Sequence, residues 1–156
     1  MAIIGRLSWR GSSVCVVDDS QEWRRQLRGM FHAWGPSSFI EAKDGSEMLH
    51  TAMTAMRPID LMLVDDEMLP MDGFLAMQAL RSTPGVMSRR AVAVFMPGEV
   101  SKSIIQKAIE SGYNSVLPKP FSASILNQHL QRLLTRPITW IEDGEMLRPA
   151  NPITGE

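Results

Sequence analysis

Short apolar runs alternate along the chain with longer segments in which apolar side chains recur at helical spacing. The short runs are β-branched or continuously apolar, which is typical of strands buried on both faces of a parallel sheet. They cover residues 13–17, 38–42, 60–65, 91–96 and 115–117. The longer segments predict amphipathic helices over residues 20–34, 44–56, 74–81, 100–111 and 122–134.

The alternation of strands and helices with short connections predicts an α/β fold, a doubly wound five-stranded parallel sheet with five flanking helices. Acidic residues precede two of the helices. Asp19 is predicted to cap the first helix and Asp44 to open the second, because a carboxylate accepts hydrogen bonds from the free N–H groups of a first turn.

The last 21 residues differ from the rest of the chain, being rich in proline and lacking helical periodicity. They are nevertheless too apolar for a solvated tail. We therefore predict one short strand or turn around Asp143-Gly144 that packs back on the domain or covers a partner's surface. The predicted organisation is a lead-in over residues 1–12, one domain over 13–135, and an extension over 136–156 that is too short for an output domain. The apolar extension makes a homodimer possible.

Composition excludes several classes of protein. The chain of 156 residues has a formal net charge of −1 and 44% hydrophobic residues, as expected of one globular domain. Scattered Lys and Arg residues argue against nucleic-acid binding, and no apolar stretch approaches a membrane-spanning length. The lone Cys15, flanked by valines, predicts a buried thiol and a reducing, cytoplasmic setting.

Acidic residues follow two of the predicted strands. Asp18 and Asp19 follow the first, and Asp65 ends the third, with Asp66 and Glu67 directly after it. Carboxyl ends of parallel strands form the edge where open α/β sheets bind ligands. Three converging carboxylates there predict a site for Mg²⁺, with Mn²⁺ as the alternative.

A cation is predicted at the same edge of the sheet. Lys119 follows the fifth predicted strand and places an ammonium over the acidic crevice. Acids, a metal and one lysine together indicate phosphoryl transfer, in which charge neutralisation and positioning do most of the work. Asp65 is the candidate nucleophile, forming an acyl phosphate.

In these motifs the chain resembles the receiver domain of two-component response regulators (CheY-like). The similarity spans about residues 13–134. The matching motifs, in order, are VVDD at 16–19, EAKDG at 41–45, IDLMLVD at 59–65 with MDG at 71–73, and SGYNSVLPKPF at 111–121. The resemblance implies a flavodoxin-like sheet with strand order 2-1-3-4-5. It also implies a signalling domain, whose only catalysis would be its own phosphorylation and dephosphorylation.

The resemblance also implies roles for individual residues. Asp65 is the phosphoacceptor, Lys119 contacts the phosphoryl group, and the peptide bond between Lys119 and Pro120 is cis. Asp18, Asp19, Asp65 and the backbone carbonyl of Glu67 hold the metal.

Asp66 competes with Asp65 for the role of nucleophile. Asp60 lies five residues before Asp65 and Gly73 eight after it, as the family pattern requires. Asp66 satisfies only the distance to Pro70, so we assign the nucleophile to Asp65.

Two positions depart from the family pattern. Pro97 occupies the place of the Ser or Thr that bonds the phosphoryl group, and Val116 the place of the aromatic ring that follows it. Both halves of the usual switch are therefore missing. The Gly98 N–H is a candidate phosphoryl contact and Ser101 a candidate substitute donor, while Glu67 and Glu99 add negative charge beside the site.

Three functions remain open. The first is a single-domain receiver, phosphorylated on Asp65 by a histidine kinase or phosphotransfer protein, with a non-standard readout. The second is a phosphorylation-independent docking module, and the third an aspartate-nucleophile phosphatase with Glu67 as general acid. By resemblance the downstream protein binds the face of the fourth helix, fifth strand and last helix. That face includes Lys102, Ile105, Gln106, Ile109, Val116 and Leu126.

Overall fold

A parallel five-stranded sheet forms the centre of the computed structural model, which describes residues 3–4, 6–7 and 9–154. The strands are β1 Ile3–Ile4, β2 Arg6–Leu7, β3 Ser13–Val17, β4 Ser38–Ala42, β5 Leu61–Asp65, β6 Val92–Met96, β7 Ser115–Val116, β8 Trp140–Asp143 and β9 Met146–Pro149. The helices are α1 Gln21–His32, α2 Gly45–Thr54, α3 Gly73–Arg81, α4 Lys102–Glu110 and α5 Ala123–Leu134. A 3₁₀ turn covers Met87–Arg90.

The central sheet has the order β4-β3-β5-β6-β7, with every neighbouring pair parallel. This order is the predicted 2-1-3-4-5, so the doubly wound fold is confirmed. Successive side chains of each strand enter cores on opposite faces of the sheet. In β3, for example, Cys15 joins one core and Val16 the other. Burial on both faces explains why these strands read as continuous apolar runs.

The start of α1 differs from the prediction. Ser20, not Asp19, is its N-cap, and the Ser20 hydroxyl accepts a hydrogen bond from the Trp23 N–H at 3.1 Å. The preceding Asp18 carboxylate in turn accepts from the Ser20 N–H at 2.8 Å. Asp44 caps α2 as predicted, accepting from the Glu47 N–H at 2.9 Å. The error arose because two capping residue types stand side by side at positions 19 and 20.

The extension forms an antiparallel hairpin of two strands, β8 and β9, where the sequence predicted one short strand or turn. Gly144, with φ +65°, takes the position at which a two-residue hairpin turn requires glycine. The hairpin packs back on the domain. The Arg81 guanidinium lies 4.6 Å from the centre of the Trp140 ring, and the Arg89 guanidinium donates to the Glu145 carbonyl oxygen at 2.7 Å.

The residues that precede β3 also contribute to packing. Trp9 is only 5% exposed, and its ring packs edge-on against Phe31 and stacks on Trp34. These contacts anchor α1 to the sheet from the N-terminal side. In the part of the chain that the structure describes, no helix has the length and apolar character needed to cross a membrane.

Candidate functional site

Two neighbouring strands bring the predicted acids together. Val17 of β3 pairs with Val64 of β5, so Asp18 and Asp65 leave the sheet side by side. Asp18 is fully buried, Asp65 is 4% exposed and Asp19 is exposed. One carboxylate oxygen from each of the three lies within 4.8 Å of the others. Hard oxygen donors at this spacing fit Mg²⁺ or Mn²⁺.

Lys119 lies directly over two of these acids. Its ammonium nitrogen is 2.8 Å from Asp65 Oδ1 and 3.0 Å from Asp18 Oδ2. Its backbone is held in place because the Lys119 N–H donates to the Pro97 carbonyl oxygen at 2.8 Å. The peptide bond to Pro120 is cis, as the resemblance implied.

Burial and the neighbouring charges set the electrostatics of the cluster. Burial is the main cause that raises the pKa of Asp65 to about 7; a hydrogen bond with Asp66 and the charge of Asp18 act in the same direction, and the hydrogen bond and charge of Lys119 oppose them. For Lys119, burial lowers the pKa, but the hydrogen bonds and charges of Asp65 and Asp18 outweigh it and the pKa is raised. Lys119 therefore stays an ammonium and is the cation that the crowded acids require.

Two arginines of α1, which the sequence analysis missed, bind Glu41, and one of them also binds the backbone of Asp18. The Arg24 guanidinium donates to the Asp18 carbonyl oxygen and to Glu41. Arg28, one helical turn on, also binds Glu41, and hydrogen bonds from these arginines, first that of Arg28, lower the pKa of Glu41. The spacing of the two arginines on one helix face, with an acid on the strand beside β3, was the available signal.

Other acids line an open groove beside the cluster. The Asp66 carboxylate accepts from the Glu67 N–H at 2.9 Å, and Glu67 is exposed. The groove has a volume of about 900 Å³, and its lining residues are Asp19, Asp66, Glu67, Met68, Leu69, Asp72, Phe74, Ser103, Ile104 and Lys107. Asp66 thus lies beside the cluster, while Asp65 lies within it. A metal-binding role for the Glu67 carbonyl stays a prediction.

The structure shows the surroundings of Pro97, which departs from the family pattern, and of the candidate substitute donors Gly98 and Ser101. Pro97 is buried directly after β6, and its carbonyl oxygen is used by Lys119. Gly98 is exposed, and no atom lies within 4 Å of the place that a Cβ would take. The Ser101 hydroxyl caps α4, accepting from the Ile104 N–H at 3.1 Å, so it is engaged as a helix cap.

The predicted partner face is partly buried. Val116 is 2% exposed and Leu126 fully buried, so the side chains of these two residues are closed to a partner in this conformation, and predicting them as contact side chains was wrong. Both are core residues, Val116 in the core on one face of the sheet and Leu126 in the core on the other. Lys102 and Gln106 are exposed, and Ile105 and Ile109 half-buried.

Comparisons with known proteins agree with this geometry. Residues 14–131 match the family described as the response regulator receiver domain. The probable chemotaxis protein CheY of Rhizobium etli is 28% identical over 109 residues, which are 70% of this chain and 81% of that protein. The chemotaxis protein CheY of Pseudomonas aeruginosa is 25% identical over 126 residues, or 79% of this chain and 96% of the relative. The crystal structure of Vibrio cholerae CheY4 superposes with a TM-score of 0.71 at 27% identity, covering 80% of this chain and 99% of that one.

Proposed function

Since the chain belongs to the response regulator receiver domain family, we propose that it accepts a phosphoryl group on Asp65 and signals through protein contacts. One observation carries the proposal. Carboxylate oxygens of Asp18, Asp19 and Asp65 converge within 4.8 Å, and the Lys119 ammonium is 2.8 Å from Asp65. This arrangement combines a nucleophile, a cation-binding set and a fixed positive charge.

The reaction we propose is a direct phosphoryl transfer. An Asp65 carboxylate oxygen attacks phosphorus as the bond from phosphorus to the donor breaks, giving an acyl phosphate. With a phosphohistidine donor, the bonding electrons return to the imidazole nitrogen, which then takes up a proton. Lys119 neutralises charge on the transferring oxygens, and Arg24 fixes the Asp18 backbone beside them.

A divalent ion is part of the proposal. Asp18, Asp19 and Asp65 would hold it, with the Glu67 carbonyl as a further ligand, and it would supply positive charge to the phosphoryl oxygens. Both Asp18 oxygens are already engaged, one with the Ser20 N–H and the other with Lys119. The ion therefore competes with Lys119 for Asp18, and we expect metal binding to shift the ammonium toward the phosphoryl group.

The proposed donor is a histidine kinase or phosphotransfer protein, and the proposed receiver of the signal is a downstream protein that binds near α4, β7 and α5. We also propose a reducing, cytoplasmic setting, because the single cysteine, Cys15, is a free and buried thiol. A homodimer stays a prediction. The domain limits of 13–135 are also part of the proposal, and the family match over residues 14–131 supports them.

The test is phosphoryl uptake from acetyl phosphate in the presence of Mg²⁺, followed by intact-protein mass spectrometry. Asp66→Asn is the matched control for Asp65→Asn, because it removes a neighbouring carboxylate with the same chemistry. We expect one phosphoryl adduct on the wild type and on Asp66→Asn, and none on Asp65→Asn or in EDTA.

Other results would favour the alternatives. An adduct that persists in Asp65→Asn and disappears in Asp66→Asn would move the nucleophile to Asp66. No adduct, with Mg²⁺ binding demonstrated by calorimetry, would favour the docking module. Sustained release of phosphate from a small phosphorylated substrate would favour the phosphatase.

A further inference from the structure

After its hairpin, the chain returns to the free edge of β7. The Ile153 N–H donates to the Asn114 carbonyl oxygen at 2.8 Å, and the Val116 N–H donates to the Ile153 carbonyl oxygen at 3.3 Å. Ser115 and Ile153 form a parallel bridge. The half-buried Ile153 side chain packs against the core on the α5 side of the sheet. Residues 151–154, here called the edge cover, therefore extend the sheet by one short parallel contact.

The strand that holds the edge cover leads directly to the site lysine. Beyond β7 the chain continues through Leu117, whose N–H donates to the Phe95 carbonyl oxygen at 2.8 Å, to Lys119. Lys119 lies three residues after Val116, a span of at most about 10 Å. The acidic cluster and the edge cover are thus joined by one short stretch of backbone.

The edge cover makes few contacts: besides the packing of Ile153, the Arg136 guanidinium donates to the Asn151 carbonyl oxygen. Two backbone hydrogen bonds hold it to β7, and the one from Val116 is long at 3.3 Å. Phosphorylation of Asp65 would give Lys119 a new acceptor farther from the sheet. Metal binding by Asp18 would remove one of the two partners that Lys119 now has. A displacement of Lys119 that reaches β7 would break the two hydrogen bonds of the edge cover before the more numerous bonds that hold β7 and Lys119 to β6 and Pro97.

We propose that the edge cover is released when Asp65 is phosphorylated, uncovering the edge of β7 for an extended segment of a partner protein. The uncovered edge offers the Val116 N–H and the Asn114 carbonyl oxygen, which are the donor and acceptor that strand addition needs. This readout needs neither a hydroxyl at Pro97 nor a ring at Val116. The inference rests on the proposed function.

The test is amide hydrogen exchange of the full chain, with and without acetyl phosphate and Mg²⁺, on samples whose adduct is measured by intact mass. We expect exchange of the Val116 and Ile153 amides to rise at least about fivefold on phosphorylation, the lower range of allosteric coupling. Asp65→Asn should show no rise. An adduct without faster exchange would overturn the inference and leave the proposed function standing, whereas no adduct would overturn both.

A matched pair of proline variants tests whether the faster amide exchange of Val116 results from release of the edge cover. Ile153→Pro removes the N–H that donates to Asn114, whereas Thr154→Pro removes none of the hydrogen bonds found in the described residues and favours an extended residue 153. Ile153→Pro should exchange fast at Val116 before phosphorylation, and Thr154→Pro should behave as wild type. By linkage, Ile153→Pro should also raise the extent of phosphorylation. Equal behaviour of the two variants would overturn the inference.

Strand addition is tested with a synthetic peptide of residues 149–154. The peptide is used at millimolar concentration, because a segment on a short tether has an effective concentration in this range. The amide NMR shifts of residues 113–117 report its binding. The peptide should shift these amides in unphosphorylated Ile153→Pro and leave unphosphorylated wild type unchanged. No shift in Ile153→Pro would overturn the strand-addition part of the inference.

Discussion

Arg81 is fully buried, and among the described residues no carboxylate pairs with it. Its charge is instead distributed over oxygen acceptors: the carbonyls of Gly112 at 3.0 Å and Arg89 at 2.7 Å, and the Asn114 side chain at 3.1 Å. Burial lowers its pKa to about 9, so it remains charged near neutral pH. Because Asn114 also accepts from Ile153, Arg81 connects α3 with the residue that holds the edge cover.

Arg81→Lys should destabilise the protein by about 2–4 kcal/mol, because lysine cannot reach all three acceptors and leaves buried oxygens unpaired. Urea unfolding gives the free energy of unfolding. Arg90→Lys is the matched control, since Arg90 is exposed and makes no hydrogen bond among the described residues. Equal stability of the two variants would contradict the assigned role of Arg81.

The buried His129 makes the free energy of unfolding depend on pH, so that the protein loses stability in acid. Its Nε2 lies 2.9 Å from the Ser115 hydroxyl, and burial, with the nearby charge of Arg132, lowers its pKa to about 4. Folding thus favours the neutral ring, whose stabilisation is present above the ordinary pKa of about 6.5. That stability is lost as the pH falls from about 6.5 toward 4.

His129→Gln should therefore remove part of the acid destabilisation, up to about 3 kcal/mol between pH 7.5 and pH 4.5. The quantity to compare is the difference in unfolding free energy between the two pH values, measured in urea. His32→Gln, at an exposed position, should retain the wild-type difference. If His129→Gln also retains it, the buried imidazole is not the group that titrates.

At the level of single elements, the residue that caps α1 directly follows two residues of the acidic cluster. Ser20 supplies the cap, Asp18 accepts from the Ser20 N–H, and Asp19 is left exposed in the acidic cluster. The helix start thus orients Asp18 while leaving the Asp19 carboxylate free for a cation.

Ser20→Ala should lower the unfolding free energy by about 1 kcal/mol in EDTA, through loss of the cap. Asp19→Ala should cost less, because it also relieves repulsion among the three carboxylates. Chemical denaturation of both variants in EDTA provides the comparison. A larger loss for Asp19→Ala would return the capping role to Asp19.

The order of elements was predictable because burial on both sheet faces leaves continuous apolar runs, which β3 and β5 show clearly. The placement of Asp18 and Asp65 followed from the rule that parallel strands end at one edge. The hairpin of β8 and β9 was less predictable, because its stability comes from contacts such as that of Trp140 with Arg81, which leave no periodic pattern. The cover over β7 depends on a single bridge at Ile153, which local sequence cannot reveal.

Considered as a whole, the molecule joins a cluster of acids, neutralised by one lysine, to a covered strand edge. The ammonium of Lys119 balances two buried carboxylates in the resting geometry. The metal ion proposed for this site would take over this neutralisation and give the protein a second way to satisfy the same charges. This alternative would allow the site to change its partners while the sheet stays folded.

The variant Lys119→Met tests whether the ammonium and the proposed metal ion neutralise the same carboxylates. In EDTA the variant should be less stable than wild type by about 2–4 kcal/mol, because Asp18 and Asp65 lose their buried partner. Added Mg²⁺ should stabilise the variant more than it stabilises wild type, since no ammonium competes for the carboxylates. Urea unfolding in EDTA and in Mg²⁺ measures both effects, with the exposed Lys102→Met as control. A variant as stable as wild type in EDTA, or one that gains no extra stability from Mg²⁺, would show that Lys119 does not balance the acids.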